Sequence, residues 1–195
     1  MQKANRSTNW FAMQPFSPDA AQQNPGCGVP DSAALHPGYA SNLAPTLIIG
    51  IGNPSRGDDA LGPLLIERLE ALQLPDLELL TDFQLQVEFA LDLQGRQQVI
   101  FVDASLNAAP PFEFSSVTAA EDNSYSSHAL SPGAVLHAYQ KLYGAPPPAF
   151  VLAIRGEAFE LGEGLSKAAA AHLDAALDWL VTDFMPTRQS RAPAV

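Results

Sequence analysis

The chain has 195 residues, 47% of them hydrophobic, which is enough for one well-buried domain and too little for two. Its 10 basic and 21 acidic side chains give a formal net charge of −11. Such a surface repels the phosphate backbone of a nucleic acid, so nucleic acid is not expected as a partner. The single cysteine excludes an internal disulfide and a cysteine-based metal cluster.

We expect a cytoplasmic protein. One cysteine suits a reducing compartment, and no apolar segment approaches the roughly 20 residues that span a bilayer. The N-terminus also lacks the apolar core of a secretory signal, so neither a membrane nor an export pathway is expected.

Residues 1–45 are rich in Asn, Gln, Ser, Pro, Ala and Gly and show no sustained period of 2 or 3.6. This pattern predicts a disordered extension, with a docking arm that uses its scattered aromatic residues as the alternative. We place one folded domain at residues 46–184 and a flexible tail at residues 185–195.

The apolar run at residues 47–51 predicts a first strand that is buried on both faces, as in a parallel sheet. A loop rich in glycine and aspartate follows, and leucines at helical spacing then predict a helix from Leu61. Further strands are predicted at 77–81, 99–103, 112–118 and 150–154. Further helices are predicted at 84–94, with Val87, Ala90 and Leu91 on one face, and at 166–184, with Ala170, Leu173, Leu177, Leu180 and Val181 facing inward. A helix at 131–143 is predicted to be capped by Ser131, to have Pro132 in its first turn and to end at Gly144.

The connection between the third and fourth strands fixes the direction of the fourth. Only residues 104–111 lie between them, whereas a crossover between parallel strands needs about a dozen residues or more. The fourth strand is therefore predicted to run antiparallel in an otherwise parallel sheet.

Three aspartates follow the first and third strands. In a right-handed wound sheet a crevice opens at the carboxyl ends of these two strands, and Asp58, Asp59 and Asp103 would all lie there. Asp103 could instead cap a helix or a turn at the strand end, and Asp58 or Asp59 could cap the helix that begins at Leu61. Two adjacent carboxylates do not both need to cap, and like charges in a crevice favour a bound cation.

His128 is the candidate nitrogen ligand, in a loop before the Ser131 helix. Two carboxylates and one imidazole, with positions left for water, suit zinc, nickel, manganese or iron. A loop histidine is also commonly a solvated residue or a hydrogen-bond partner. The sequence has no HExxH, GxSxG or Walker motif, and Ser55 stands where a dinucleotide fingerprint needs its third glycine.

Three motifs together resemble the [NiFe]-hydrogenase maturation endopeptidases. They are GIGNPSRGDDALG at residues 50–62, FVDA at residues 101–104 and SSHALSP at residues 126–132, and they occur in the order found in that family, over about residues 46–183. The resemblance implies a phosphorylase/hydrolase-like α/β fold, a three-layer α/β/α sandwich with a five-stranded, mostly parallel sheet whose fourth strand is antiparallel. It also implies removal of a C-terminal extension from a hydrogenase large-subunit precursor after nickel insertion.

Carried over motif by motif, the resemblance assigns the metal-contacting and catalytic roles to Asp59, Asp103 and His128. Nickel then arrives with the precursor, and another divalent cation could occupy the site in purified protein. The metal could polarise the scissile carbonyl, lower the pKa of a bound water, or only position the extension near an aspartate that acts as base.

The chain departs from the family pattern in two places, of which the second concerns the substrate. Ala60 stands where many members have glycine, and Thr81–Gln86 replaces a turn that often reads Gly-Gly-Thr. Asp82, Phe83 and Gln84 in this segment are expected to contact the precursor. The protein itself is expected to be a monomer.

Two alternatives stay open. The opening LIIGIGNP also resembles peptidyl-tRNA hydrolases, but those continue with an Arg-His-Asn segment, whereas here Arg56 is followed by Gly57 and Asp58. The net charge of −11 also disfavours tRNA. A checkpoint chaperone that docks on the nickel-loaded precursor without cutting it is the non-enzymatic alternative.

Overall fold

A computed structural model of the chain describes residues 45–121 and 130–185. The predictions for the N-terminal extension, for His128 and for the C-terminal tail fall on residues outside these ranges, apart from the single residues 45 and 185. The elements in chain order are β1 (Thr46–Ile51), a 3-10 turn (Gly57–Ala60), α1 (Leu61–Leu72), β2 (Leu77–Asp82), α2 (Phe89–Asp92), β3 (Gln98–Ser105), β4 (Phe112–Val117), α3 (Pro132–Tyr143), β5 (Ala149–Arg155), α4 (Lys167–Trp179) and a π-helical turn (Leu180–Phe184).

The five strands form one mixed sheet in the order β2-β1-β3-β5-β4. Neighbouring strands are parallel except for β4, which pairs antiparallel with β5 in a register that places Phe114 opposite Leu152. The predicted α/β fold and the antiparallel fourth strand are therefore confirmed.

Helices cover both faces of the sheet because its central strands are apolar on both sides. Ile48 and Ile100 point to the face covered by α1 and α4, whereas Leu47 and Phe101 point to the face covered by α2 and α3. These layers form the predicted α/β/α sandwich. Among the described residues, no helix is long and apolar enough to cross a membrane.

The beginning of α1 lies directly against the end of β1. A Cβ atom at Gly62 would lie 2.2 Å from the carbonyl oxygen of Ile51, so only glycine permits this approach. The close contact fixes the 3-10 turn, and with it the two aspartates of the turn, at the carboxyl end of β1.

The helix predicted at residues 84–94 is wrong in extent and in its buried face. Only Phe89–Asp92 is helical, and Val87 and Leu91 are 48% and 55% exposed. The buried residues are Ala90 together with Leu85 and Leu93, which lie outside the helix. A loop can bury single side chains at any spacing, so helical periodicity did not apply to this segment.

The last helix was predicted at the correct place, and its inward face is confirmed at Leu173, Leu177, Leu180 and Val181, which all pack in or against the core. Ala170 is the exception, because the neighbouring Ala169 is the buried alanine. Ala169, Leu173 and Ala176 are buried along α4, while Ala170 and Leu177 are only partly buried. The small alanines let α4 lie close to the sheet. The chain then continues as a π-helical turn whose extra residue per turn accompanies the burial of Leu180 and Phe184.

Candidate functional site

The carboxyl ends of β1 and β3 lie side by side, and a cavity of about 580 Å³ opens there. Asp59, which follows β1, and Asp103, near the end of β3, both line it. Topology alone predicted this juxtaposition, because β1 pairs with β2 on one side and with β3 on the other. The cavity is the candidate active site.

Asp59 is held by the loop that it belongs to. Its carboxylate accepts a hydrogen bond from the backbone N–H of Asn53 at 3.0 Å. Gly52, at the start of the same loop, has a φ of +138°, and a Cβ there would lie 1.9 Å from the carbonyl oxygen of Asp59. Residue 52 must therefore be glycine for Asp59 to stand where it does.

Asp103 is a partly buried carboxylate whose acidity is altered by its surroundings. Burial raises its pKa, a hydrogen bond from the Ala104 backbone N–H lowers it, and the nearby Asp59 carboxylate raises it, with the net result of a pKa of about 6. A carboxylate with this pKa can accept a proton near neutral pH, and a bound cation would relieve its repulsion with Asp59.

Asp58 has a different task from its neighbour. It is fully buried, and its carboxylate accepts hydrogen bonds from the backbone N–H groups of Glu157, Ala158 and Ser166 at 2.8 to 3.0 Å, and from the Ser166 hydroxyl at 2.9 Å. Burial by itself raises the pKa of Asp58, but the hydrogen bonds outweigh it and hold the pKa below the ordinary value. The suggested cap of the Leu61 helix is wrong, since no side chain caps α1.

The three residues predicted to contact substrate divide between two hollows. Phe83 and Gln84 line the cavity, whereas Asp82 lies in an adjoining hollow of about 310 Å³ that it shares with Phe83. The Asp82 carboxylate accepts a hydrogen bond from the Phe83 backbone N–H at 2.6 Å. Phe83 is 67% exposed, so its ring is available to a partner.

His128 lies outside the described residues, so the structure does not place it. Leu130, Ser131 and Pro132, which follow it in sequence, line the cavity. The two described histidines are engaged elsewhere: His172 Nδ1 lies 2.9 Å from the Arg155 carbonyl oxygen, and His137 Nε2 lies 3.5 Å from Glu121.

The donor set of the cavity fits a divalent cation in part. Within residues 45–121 and 130–185, no three His, Cys, Asp or Glu side chains form a group that could hold a metal ion. Asp59 and Asp103 supply two carboxylates, so any further ligands would come from His128, water or the substrate.

Sequence reasoning missed Arg56, which also lines the cavity. Its position in the glycine- and aspartate-rich loop was the available signal, because that loop was already expected to border the crevice. A predicted cation site directs attention to acidic side chains, and a basic side chain in the same loop does not fit that prediction.

Comparison with known proteins gives matches among solved structures. No family model and no curated protein matches the chain. The hydrogenase-maturating endopeptidase HybD from E. coli is 25% identical over 75% of this chain and 93% of its own, with a TM-score of 0.57. An endopeptidase from Escherichia coli, solved in solution, is 26% identical over 77% of this chain and 96% of its own, with a TM-score of 0.57.

A third structure shares the fold at lower identity. The [NiFe] hydrogenase maturation protease HycI from Thermococcus kodakarensis KOD1 is 24% identical over 72% of this chain and 92% of its own, with a TM-score of 0.56. The relatives at 25% and 26% identity are both endopeptidases, which supports a hydrolase. The resemblance to the [NiFe]-hydrogenase maturation endopeptidases that the three motifs predicted is thereby confirmed.

Proposed function

We propose that this protein is an endopeptidase that removes the C-terminal extension of a [NiFe]-hydrogenase large-subunit precursor after nickel has been inserted. The observation that carries the proposal is the meeting of Asp59 and Asp103 in one cavity, on a fold shared with hydrogenase-maturating endopeptidases. We further propose that the protein acts in the cytoplasm, as a monomer.

Nickel enters this proposal as part of the substrate. Asp59 and Asp103, with His128 as the third ligand, would contact nickel that the precursor already holds. Two carboxylates that repel each other across one cavity favour a cation, which would relieve that repulsion. Contact with the metal would then report that insertion is complete.

Hydrolysis requires a water to attack the scissile carbonyl carbon, a base to take its proton, and an amine to leave with a proton. Asp103 suits the base, because its pKa of about 6 lies near the operating pH. Asp103 could instead serve only as a contact to the metal, with the metal polarising the carbonyl. Phe83 and Gln84 would contact the chain on either side of the scissile bond, and Asp82 would contact it in the adjoining hollow.

The test is incubation of the purified protein with the large-subunit precursor of the same organism, nickel-loaded or nickel-free, followed by mass spectrometry of the released peptide. We expect release only from the loaded precursor. Asp59→Asn, Asp103→Asn and His128→Gln should each abolish release, because each removes one contact to the metal or the proton acceptor.

Matched controls make the same chemical changes away from the cavity. Asp174→Asn alters an exposed carboxylate paired with Arg68, and His137→Gln alters a described histidine beside Glu121. Both should process the precursor at the wild-type rate. Release from the nickel-free precursor, or full activity in His128→Gln, contradicts the proposed site. Stable binding of the loaded precursor without any release would indicate the checkpoint chaperone instead.

A further inference from the structure

Arg56 introduces a positive charge into a cavity that otherwise carries negative charge. Among the described residues that line the cavity it is the only basic side chain, and the acidic ones are Asp59 and Asp103. A guanidinium that shares a cavity with two carboxylates weakens their attraction for a metal ion. Arg56 therefore has no evident use in holding a cation, and its presence calls for a ligand of the opposite sign.

The guanidinium is poorly satisfied within the described ranges. Arg56 is exposed and forms no ion pair with any carboxylate of residues 45–121 or 130–185. Its Nε and Nη2 atoms donate to the carbonyl oxygen of Phe159, each at 3.4 Å, which is long for a hydrogen bond. An arginine side chain offers five N–H donors, so most of its capacity is available to a ligand.

The contact with Phe159 is also not needed to hold the two loops together. The 3-10 turn is already tied to the segment between β5 and α4 by the Asp58 carboxylate. Backbone hydrogen bonds add to this, from Gly57 N to Glu163 O at 3.1 Å, from Asp58 N to Ala158 O at 2.7 Å and from Gly162 N to Ser55 O at 2.8 Å. The side chain of Arg56 is therefore not needed to hold these two loops together.

We propose that Arg56 binds a carboxylate of the precursor's C-terminal extension and so sets the orientation in which the extension enters the cavity. A guanidinium matches a carboxylate through two parallel hydrogen bonds, and Nη1 and the second N–H of Nη2 are not used by the contact with the Phe159 carbonyl. The carboxylate belongs either to an Asp or Glu side chain of the extension or to its C-terminus. This inference rests on the proposed endopeptidase function.

The first measurement compares wild type with Arg56→Gln and Arg56→Lys. Isothermal titration calorimetry with an unlabelled peptide that has the sequence of the precursor's extension gives Kd, and processing of the nickel-loaded precursor gives KM and kcat. We expect Arg56→Gln to raise Kd and KM by about 10-fold or more while kcat is unchanged. Arg56→Lys, which keeps the charge and loses the fork, should lie between the two.

A matched control removes an arginine elsewhere. Arg68→Gln breaks an exposed pair with Asp174 on the α1–α4 side of the sheet and should leave Kd, KM and kcat unchanged. Thermal unfolding of Arg56→Gln should match that of wild type, because the loops keep their other hydrogen bonds.

Two modified peptides identify the source of the carboxylate. One has a C-terminal amide, and the other has each Asp and Glu of the extension replaced by Asn and Gln. The peptide that lacks the recognised carboxylate should bind wild type and Arg56→Gln equally. If both peptides still bind wild type about 10-fold more tightly than the variant, the ligand is not a carboxylate and the proposal is overturned.

The outcomes separate this inference from the proposed function. If wild type releases the extension and Arg56→Gln has the same Kd and KM, the endopeptidase stands and the role of Arg56 is overturned. A lower kcat at unchanged KM also overturns it, since Arg56 would then act on the reacting atoms. Arg56-dependent binding without any release supports the role of Arg56 and overturns the endopeptidase, and neither binding nor release overturns both.

Discussion

Asp58 and Ser166 are joined by two hydrogen bonds although 108 positions separate them in the sequence. The Ser166 backbone N–H donates to one carboxylate oxygen at 2.8 Å, and the Ser166 hydroxyl donates to the other at 2.9 Å. The same hydroxyl accepts from the Ala169 backbone N–H at 3.1 Å and so caps α4. One buried carboxylate thus connects the turn that carries Asp59 to the beginning of the last helix.

The first prediction concerns this connection. Asp58→Asn should lower the free energy of unfolding by about 2 to 4 kcal/mol, because it replaces an acceptor of four hydrogen bonds with an amide whose NH₂ faces N–H donors. Urea denaturation followed by circular dichroism measures the loss.

Asp59→Asn is the matched control for that experiment. Asp59 is the adjacent residue, and its carboxylate accepts one hydrogen bond, from Asn53. We expect the Asp59→Asn variant to lose much less stability than the Asp58→Asn variant, although it no longer processes the precursor. Equal losses of stability in the two variants would show that the paired aspartates do not divide their tasks in this way.

The second prediction compares two serines that cap helices. Ser131 caps α3 through a hydrogen bond from the Ala134 backbone N–H at 3.2 Å, and it has no part in the Asp58 cluster. Ser131→Ala should cost about 1 kcal/mol, the usual value for an N-cap. Ser166→Ala should cost about 1 kcal/mol more, because it also removes a charge-assisted hydrogen bond to Asp58. Similar losses in the two urea denaturation curves would argue against the additional role of Ser166.

The sequence predicted the features that depend on neighbouring residues or on strand order. The short connection before Phe112 gave the direction of β4, and the Ser131-Pro132 and Gly144 signals gave the bounds of α3. The wound topology brought Asp59 and Asp103 to one cavity. In each case a few neighbouring residues, or the handedness of the crossover between parallel strands, permit only one arrangement of the chain.

Features that depend on distant loops were not predictable in this way. The partners of Asp58 lie about a hundred positions later, in a segment without regular structure, so no local spacing announces them. The burial of Leu85 and Leu93 around a single helical turn likewise depends on the sheet beneath them. The periodicity of hydrophobic residues predicts helices and strands, but it does not predict these contacts because loop residues make them.

The third prediction is a dependence of stability on pH. Burial raises the pKa of Asp92, the nearby Glu78 carboxylate raises it further, and Arg96 lowers it, with a net increase. A folded pKa above the unfolded value means that Asp92 contributes stability below the unfolded pKa, near 3.8, and that this contribution is lost as the pH rises through the folded pKa. Asp92→Asn should therefore raise the free energy of unfolding at neutral pH.

The same variant at acidic pH is its own control. At about pH 3 the carboxyl group is protonated in both states, so the advantage of Asp92→Asn over wild type should disappear. Urea denaturation at the two pH values measures the difference. An equal gain at both would mean that the substitution acts through packing and not through charge.

The fourth prediction links backbone conformation at Gly52 to the site. Gly52→Ala should destabilise the fold by about 2 to 4 kcal/mol and abolish processing, because the new Cβ would lie 1.9 Å from the Asp59 carbonyl oxygen and must displace the turn that positions Asp59. Gly144→Ala separates collision from backbone strain, since Gly144 also has a positive φ, +93°, while no described residue other than its chain neighbours has an atom within 4 Å of its Cβ position. It should cost about 1 to 2 kcal/mol and leave processing intact. Equal effects of the two alanines, measured by urea denaturation and peptide release, would mean that strain alone governs both sites.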